Sequence, residues 1–351
     1  MPEIVFDCER MKYQNTGLYH YCLNLGKKLE EHSNEDEKLF FYSPGHEQGW
    51  SFETRNHIKQ HSWHKLRLPT LTRFDIWHAT YQNTQYLPLR NKKIRVVLSI
   101  HDLNFLYDEK KSILKKQKYL RHLQQLINRA DIIICVSEFS KTDVLNNCNT
   151  GNKPIYVIHN GTNLLEQPEL SPESYRPAKP FLFSVGVIQR KKNFHVLMPL
   201  LKANPMELLI AGRPDDHQYI SQLREESVKW GVEENVRLLG TISEKEKSWY
   251  YNNCRAFALP SISEGFGLPV TEAMSCGKPL FLSNCTALPE IAGDVSFYFQ
   301  DFNPEHMNEV FRTGMHMYSR NGLSERIRER GKNFDWNRSA LQYLEVYRSL
   351  Y

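Results

Sequence analysis

No Cys-x-x-Cys pair occurs in the chain, and its seven cysteines (Cys8, Cys22, Cys135, Cys148, Cys254, Cys276 and Cys285) are scattered and odd in number. That pattern argues against a disulfide framework and against a structural zinc site, and it suits a reducing compartment. Long apolar runs are missing as well. ADIIICV, from Ala130 to Val136, falls far short of the ~20 residues needed to span a bilayer. The start, MPEIVFDCER, lacks a basic flank followed by an apolar stretch, so no signal peptide is legible and a cytoplasmic location is expected. Neither sign of charge dominates. A net charge of +5 suits anionic ligands or an anionic membrane surface, and it is not the signature of a nucleic-acid binder. No internal repeat and no low-complexity tract is legible.

What is present is ordinary globular chemistry. Hydrophobic residues make up 40% and charged residues 24%, so large cores can be buried, and 351 residues suit two domains. Short β-branched runs alternate with amphipathic helical patterns, which reads as βαβ units with parallel sheets. In the first half the expected strands are Glu3 to Asp7, Lys38 to Ser43, Asp75 to Thr80, Ile94 to Ile100, Asp131 to Ser137 and Ile155 to Asn160. Helices are expected near Leu18 to Glu31, Lys110 to Asn128 and Glu138 to Asn146. The segment Leu164 to Pro180 is proline-rich, polar and aperiodic, and it reads as a linker. The alternation then restarts, with strands expected at Phe181 to Ile188, Met206 to Gly212, Val236 to Gly240, Ala256 to Pro260 and Pro279 to Ser283, and a helix containing Phe194 to Leu201.

In open parallel sheets ligands sit at the carboxyl ends of strands. Gly17, His101, Asp102, Gly186, Gly212 and Glu264 all follow expected strands. The stretch SISEGFGLPVTEAMSCGKP, Ser261 to Pro279, concentrates the chemistry. Gly265 and Gly267 let the backbone approach a ligand, Pro269 suits a helix's first turn, and Gly277 suits its stop. A helix N-terminus favours a phosphate, and Glu264 and Glu272 can accept hydrogen bonds from hydroxyls. A sugar, a diphosphate and a ribose in a row would satisfy this order. Gly-Pro loops before helices are nonetheless common, and the helix dipole alone favours glutamate in a first turn.

EGFGLPVTEAM closely resembles the paired-glutamate signature of the GT4 family of retaining glycosyltransferases, which have the GT-B fold. SVGVIQRKKNFHVL, LLIAG, VRLLGTISEKEK, TALPEIAG and SIHDL match further family segments in the expected order, and the resemblance covers essentially the whole chain. It implies an α/β GT-B architecture of two doubly wound Rossmann-like domains facing a central cleft. The acceptor-binding domain would span residues 1–165, a linker 166–180, and the nucleotide-sugar-binding domain 181–334. Residues 335–351 would form a C-terminal helix packing back on the first domain.

The resemblance also assigns roles. Glu264 would hold hydroxyls of the transferred sugar, with the backbone of Gly265, Phe266, Gly267 and Leu268 lying along the sugar and diphosphate. Glu272 would bind the ribose, and Lys192, in the loop after Gly186, would grip the diphosphate. Family members carry an arginine as the second cation; here the tract is Arg190-Lys191-Lys192, and either Arg190 or Lys191 could serve. Glu244 and Lys247 fall where relatives contact the base, though both could equally mark an exposed helix start. His101 would be the active-site histidine near the donor sugar, and Gly17 would belong to a first loop facing phosphate and acceptor. The co-substrate would be a nucleotide-diphospho-sugar, with no cofactor and no metal. No Asp-x-Asp motif follows a strand. The implied reaction is retaining hexosyl transfer to a glycan or lipid-linked acceptor. SIHDL with PSISEGFGLP most resembles mannosyltransferases of surface-polysaccharide assembly, suggesting GDP-mannose. A non-hydrolysing sugar-nucleotide epimerase, a phosphorylase and an inactive nucleotide-sugar-binding module are the alternatives.

Three other features carry weaker readings. His57, His61 and His64 have helical spacing that could form a metal face, but no acidic or cysteine ligand is nearby. Trp77, His78, Tyr81 and Tyr86 could stack on sugars, but strand aromatics of this kind are mostly core. The expected helix within Asp108 to Ile127 has apolar positions at Ile113, Leu114, Leu120, Leu123 and Ile127. Lys110, Lys111, Lys115, Lys116, Lys118 and Arg121 crowd the remainder. It reads either as a surface helix with its stripe in the core or as a peripheral contact with anionic lipid at the inner face of the cytoplasmic membrane.

Overall fold

The alternating pattern builds two parallel sheets. The computed structural model describes residues 1–14, 16–44, 56–66, 68, 73–89, 91–162, 172–320 and 322–351. They form two units, Met1–Gly161 with Asp335–Tyr351, and Thr162–Phe334.

In the first unit, strands β1 (Glu3–Asp7), β2 (Lys38–Ser43), β3 (His57–Lys59), β4 (Ile76–Ala79), β5 (Arg95–Ile100), β6 (Ile132–Cys135) and β7 (Ile155–Val157) lie in the order β3-β2-β1-β4-β5-β6-β7. All pairings are parallel. The order reverses between β1 and β4. Strands covered on both faces read as continuous apolar runs, and β1, β4, β5 and β6 are almost wholly buried. Helices α1 (Gly17–His32), α2 (Ile113–Arg129) and α3 (Glu138–Asn147) start at Thr16, Ser112 and Ser137, whose side chains accept first-turn N–H groups.

The C-terminal helix α11 (Trp336–Arg348) belongs to this unit and is fastened by a buried polar cluster. Tyr21 Oη and Tyr343 Oη are 2.8 Å apart, Ser99 Oγ is 2.7 Å from His78 Nε2, and His78 Nδ1 is 2.6 Å from Tyr347 Oη. Burial lowers the His78 pKa to about 3, so the imidazole is neutral. At the other end of α11, Arg348 makes a fork with Glu37 at 2.6 and 2.8 Å.

In the second unit, β8 (Phe181–Val185), β9 (Glu207–Ala211), β10 (Val236–Gly240), β11 (Ala256–Leu259), β12 (Leu280–Ser283) and β13 (Phe297–Phe299) lie in the order β10-β9-β8-β11-β12-β13, again parallel. Here the reversal falls between β8 and β11. The helices are α4 (Met198–Ala203), α5 (His217–Trp230), α6 (Glu244–Asn253), α7 (Leu268–Ser275), α8 (Leu288–Ala292), α9 (Pro304–Arg320) and α10 (Leu323–Gly331). The described part of the proline-rich segment, 172–180, is anchored to this unit. Tyr175 donates to Glu207 at 2.6 Å, and the Ala178 and Lys179 N–H groups donate to the same carboxylate.

Some expectations need correction. The three histidines do not share a helix: His57 lies on β3, His61 precedes a short 3₁₀ turn at Ser62–Lys65, and buried His64 is 2.9 Å from Tyr42 Oη. The apolar positions of α2 do not form one buried stripe. Leu123, Leu126 and Ile127 are core, whereas Ile113 and Leu114 are 74% and 75% exposed. Of the aromatics on and after β4, Trp77, His78 and Tyr86 are core and Tyr81 is not. Strands β3 and β13 are too short to leave a period in the sequence.

Candidate active site

The site of the second unit stands where its strand order reverses. Gly186 follows β8 with φ +151°, and a Cβ there would lie 2.8 Å from Lys192 Cε. The chain then turns through a short 3₁₀ helix, Arg190–Lys192, closed by Asn193 in the left-handed region at φ 58°. That turn folds Lys192 back over the end of β8, where it is 7% exposed. Its Nζ donates to Glu264 Oε1 at 2.6 Å across the gap to the loop after β11.

Burial pushes the Glu264 carboxyl up, but Lys192 and then Lys191 outweigh it and hold it below the usual glutamate value. Glu264 is therefore an anion with two cations on it. Arg190 points elsewhere: it is exposed, and its charge acts on His195 and Tyr219. The Glu264 backbone N–H donates to Thr286 Oγ1 at 2.9 Å. Thr286 has φ 55°, a conformation that costs a β-branched residue of order 1–3 kcal/mol and persists where the surroundings impose it.

Gly265, Phe266 and Gly267 carry the chain into α7. Gly267 sits in the left-handed region at φ 106°, and a Cβ there would come within 2.9 Å of Leu288. Phe266 is buried, edge-on to Phe334. No described side chain caps α7; the Val270 and Thr271 N–H groups turn back to the Gly267 carbonyl, and Pro269 has none to offer. Glu272, one turn on, is held at both oxygens: Lys247 Nζ donates to Oε1 at 2.8 Å and Tyr251 Oη to Oε2 at 2.9 Å. Lys247 also pairs with exposed Glu244 at 2.8 Å. Burial lowers the Lys247 pKa, but Glu272 and Glu244 raise it above the ordinary lysine value. Lys247 thus ties the starts of α6 and α7 together, while Glu244 alone faces solvent.

In the first unit, His101 follows β5. Its Nε2 is 2.8 Å from the Thr80 carbonyl, and Tyr21 stands edge-on to the ring at 4.5 Å. Burial holds its pKa below the usual histidine value. A neutral ring whose Nε2–H donates to a carbonyl presents Nδ1 as an acceptor. Gln82 spans the ends of β4 and β5 by accepting from the His101 N–H at 3.1 Å and donating to the Asp102 carbonyl at 2.9 Å. Gly17 is exposed and is the first residue of α1 rather than part of a loop.

The structure thus brings Gly186, Lys191 and Lys192 to Glu264, with Gly265 and Gly267 following in the same loop, and joins Glu272 to Lys247 and Lys247 to Glu244. Thr286 and Gln82 were missed, because a positive φ on threonine and a cross-strand amide clamp leave no local pattern. Chemically, Lys192 and Lys191 beside a strand end can hold an anion, with a carboxylate beside them that can accept from hydroxyls.

Two family descriptions match the chain. "Glycosyltransferase Family 4" covers residues 21–165 and "Glycosyl transferases group 1" covers residues 166–334. The "O-antigen chain mannosyltransferase B" of Escherichia coli is 26% identical over 99% of this chain and 100% of its own length. "Serotype-specific mannosyltransferase WbdA" of Escherichia coli is 26% identical over 65% of this chain, which spans 30% of that relative. Among solved structures, sucrose-phosphate synthase from Thermosynechococcus elongatus superposes with TM-score 0.80 at 18% identity, over 100% of this chain and 99% of that one. Anabaena Alr3699/HepE in complex with UDP-glucose gives 0.78 at 16% identity, over 99% of this chain and 100% of that one. At such identities these likenesses carry the fold, two parallel-sheet Rossmann-like domains of the GT-B type, and nothing finer.

Proposed function

The chain belongs to the glycosyltransferases whose two halves are the family 4 and group 1 domains, and from that premise we propose that it moves a hexose from a nucleotide-diphospho-sugar to a glycan or lipid-linked acceptor, with retention of configuration, in surface-polysaccharide assembly. The observation that carries this reading is the buried Lys192–Glu264 pair at the strand-order reversal of the second unit. A diphosphate arriving there competes with Glu264 for Lys192, and the freed carboxylate accepts from the sugar's hydroxyls. Lys191, rather than Arg190, is the second cation, because it is the one whose charge reaches Glu264.

As the anomeric carbon–phosphate bond breaks, charge grows on the leaving diphosphate. Lys192, Lys191 and the α7 N-terminus stabilise it. Glu272 takes the ribose, and His101 offers Nδ1 to a hydroxyl. The proposed donor is GDP-mannose, supported by the two mannosyltransferase relatives. The exposed Ile113 and Leu114 with Lys115 and Lys118 on α2 support a peripheral contact with anionic lipid.

Incubation with labelled GDP-mannose, UDP-glucose and ADP-glucose tests the reading. Transfer to an acceptor or slow transfer to water is expected. Epimerised donor, phosphate-dependent release, or binding without turnover would replace it with one of the alternatives.

A further inference from the structure

The first unit contains a cavity of about 200 Å³ that none of the donor-site residues lines. Tyr81 and Asn83 reach it from the end of β4, Asp102 and Phe105 from the end of β5, and Lys111 and Tyr119 from the segment entering α2 and from α2 itself. It lies at the carboxyl ends of strands next to the β1/β4 reversal, where open parallel sheets take ligands.

Its walls are chemically mixed. The rings of Phe105 and Tyr119 stand 5.3 Å apart at 51° and form one side. Tyr81 is braced by the Arg10 guanidinium, 4.4 Å from its ring centroid. Asp102 Oδ1 accepts the Asn104 N–H at 3.0 Å, and the remaining lone pairs of the carboxylate can accept hydroxyl protons. Gln82 spends both ends of its amide on backbone groups, which fixes Asp102 in place. Lys111 is ion-paired with Asp108 and so offers no uncompensated charge to a phosphate. A volume of about 200 Å³, below the ~300 Å³ at which pockets for drug-sized ligands begin, suits a single sugar ring. Aromatic faces beside a carboxylate and an amide match the C–H face and the hydroxyl edge of a sugar.

We propose that this cavity seats the terminal neutral pyranose of the acceptor glycan, with Phe105 and Tyr119 against its apolar face and Asp102 accepting from its hydroxyls. The proposal rests on the reading of the chain as a glycan-directed transferase. The lining residues all belong to the first unit, so this seat does not include Glu264.

Saturation-transfer NMR on the full chain with methyl α-D-mannopyranoside, methyl β-D-glucopyranoside and methyl β-D-galactopyranoside tests it. At least one probe is expected to bind, at least tenfold more weakly in Asp102→Asn and in Tyr119→Ala, and equally in Glu264→Gln. Asp102→Asn keeps the shape and the acceptor for Asn104, so it decides the matter if Tyr119→Ala fails to fold. The proposal falls if no probe binds, if Asp102→Asn binds like the parent, or if binding vanishes in Glu264→Gln instead. Thermal shifts with GDP, UDP and ADP on the same samples keep the two readings apart. A nucleotide shift without pyranoside binding overturns the cavity alone; pyranoside binding without any nucleotide shift overturns the donor reading and leaves the cavity standing.

Discussion

The two units share a fold plan and differ in how they handle buried polarity. In the second, charges are paired: Lys192 with Glu264 at the strand ends, and Lys247 with Glu272 between α6 and α7. In the first, two imidazoles are neutral: His78 and His101 are hydrogen-bonded to Ser99, Tyr347 and the Thr80 carbonyl. Burial even raises the Asp7 pKa to about 8, so the carboxyl at the end of β1 is mostly protonated at pH 7. An ion pair that is nearly dry can be given up only to another charge, because an unpaired buried ion is costly. A neutral cluster asks for no counter-charge. The contrast supports the proposed division of ligands, an anion for the second unit and a neutral sugar for the first.

The largest expected effect comes from breaking the ionic pair. Lys192→Ala and Glu264→Gln should each cut transfer by about 10²–10³, the loss seen when one preorganised charge-stabilising group is removed. Each also removes one partner of a buried ion pair, which costs about 3–5 kcal/mol. In thermal melts the double variant should recover much of that loss. Equal melts for the single and double variants would mean that the two residues are not coupled.

A backbone change should reach the same pair indirectly. Gly186→Ala places a methyl against Lys192 Cε and forces a left-handed φ on alanine, so it should weaken nucleotide binding about tenfold, or ~1.4 kcal/mol. Unaltered nucleotide affinity, measured by titration calorimetry, would show that Lys192 has room to move aside.

Those residues also mark how far the sequence could be read. The parallel architecture and most strands were legible because buried parallel strands leave continuous apolar runs. The loop after β11 and the start of α7 were legible because Gly and Pro recur there with distinct backbone requirements. Three things were not. The pairing of Lys192 with Glu264 joins residues 72 apart in sequence, brought together by strand order. The proposal of Lys191 rather than Arg190 as the second cation depends on one turn of 3₁₀ helix. The exposure of Ile113 and Leu114 depends on where α2 leaves the sheet, so an apolar pattern that looked continuous splits into core and surface.

The neutral cluster has its own test in pH. The His78 pKa is depressed from the unfolded 6.5 to about 3, so between those values the unfolded chain binds the extra proton. Stability from this group is fully present above pH 6.5 and is lost as pH falls toward 3, with a slope of up to ~1.4 kcal/mol per pH unit. His78→Gln should flatten that part of a melting-temperature profile. A profile that keeps its slope in the variant would assign the acid sensitivity elsewhere.

Smaller effects are expected at the surface. Replacing Lys115 and Lys118 by Gln should weaken binding to phosphatidylserine vesicles at low salt by ~1 kcal/mol per residue, read by sedimentation. Identical sedimentation would leave α2 as scaffold only. EDTA should change transfer least of all, because basic side chains and a helix end are proposed to serve the diphosphate. Loss of activity restored by Mg²⁺ would contradict that.

The most direct measurement is calorimetric titration of the parent, Lys192→Ala and Glu264→Gln with whichever of GDP, UDP and ADP binds the parent best. If Lys192 passes from Glu264 to the diphosphate, Lys192→Ala loses about tenfold or more in affinity. Glu264→Gln then binds the nucleotide at least as tightly as the parent, because the competing carboxylate is gone. Parent-like binding by Lys192→Ala, or a loss in Glu264→Gln as large as that in Lys192→Ala, would contradict the exchange on which the donor site is built.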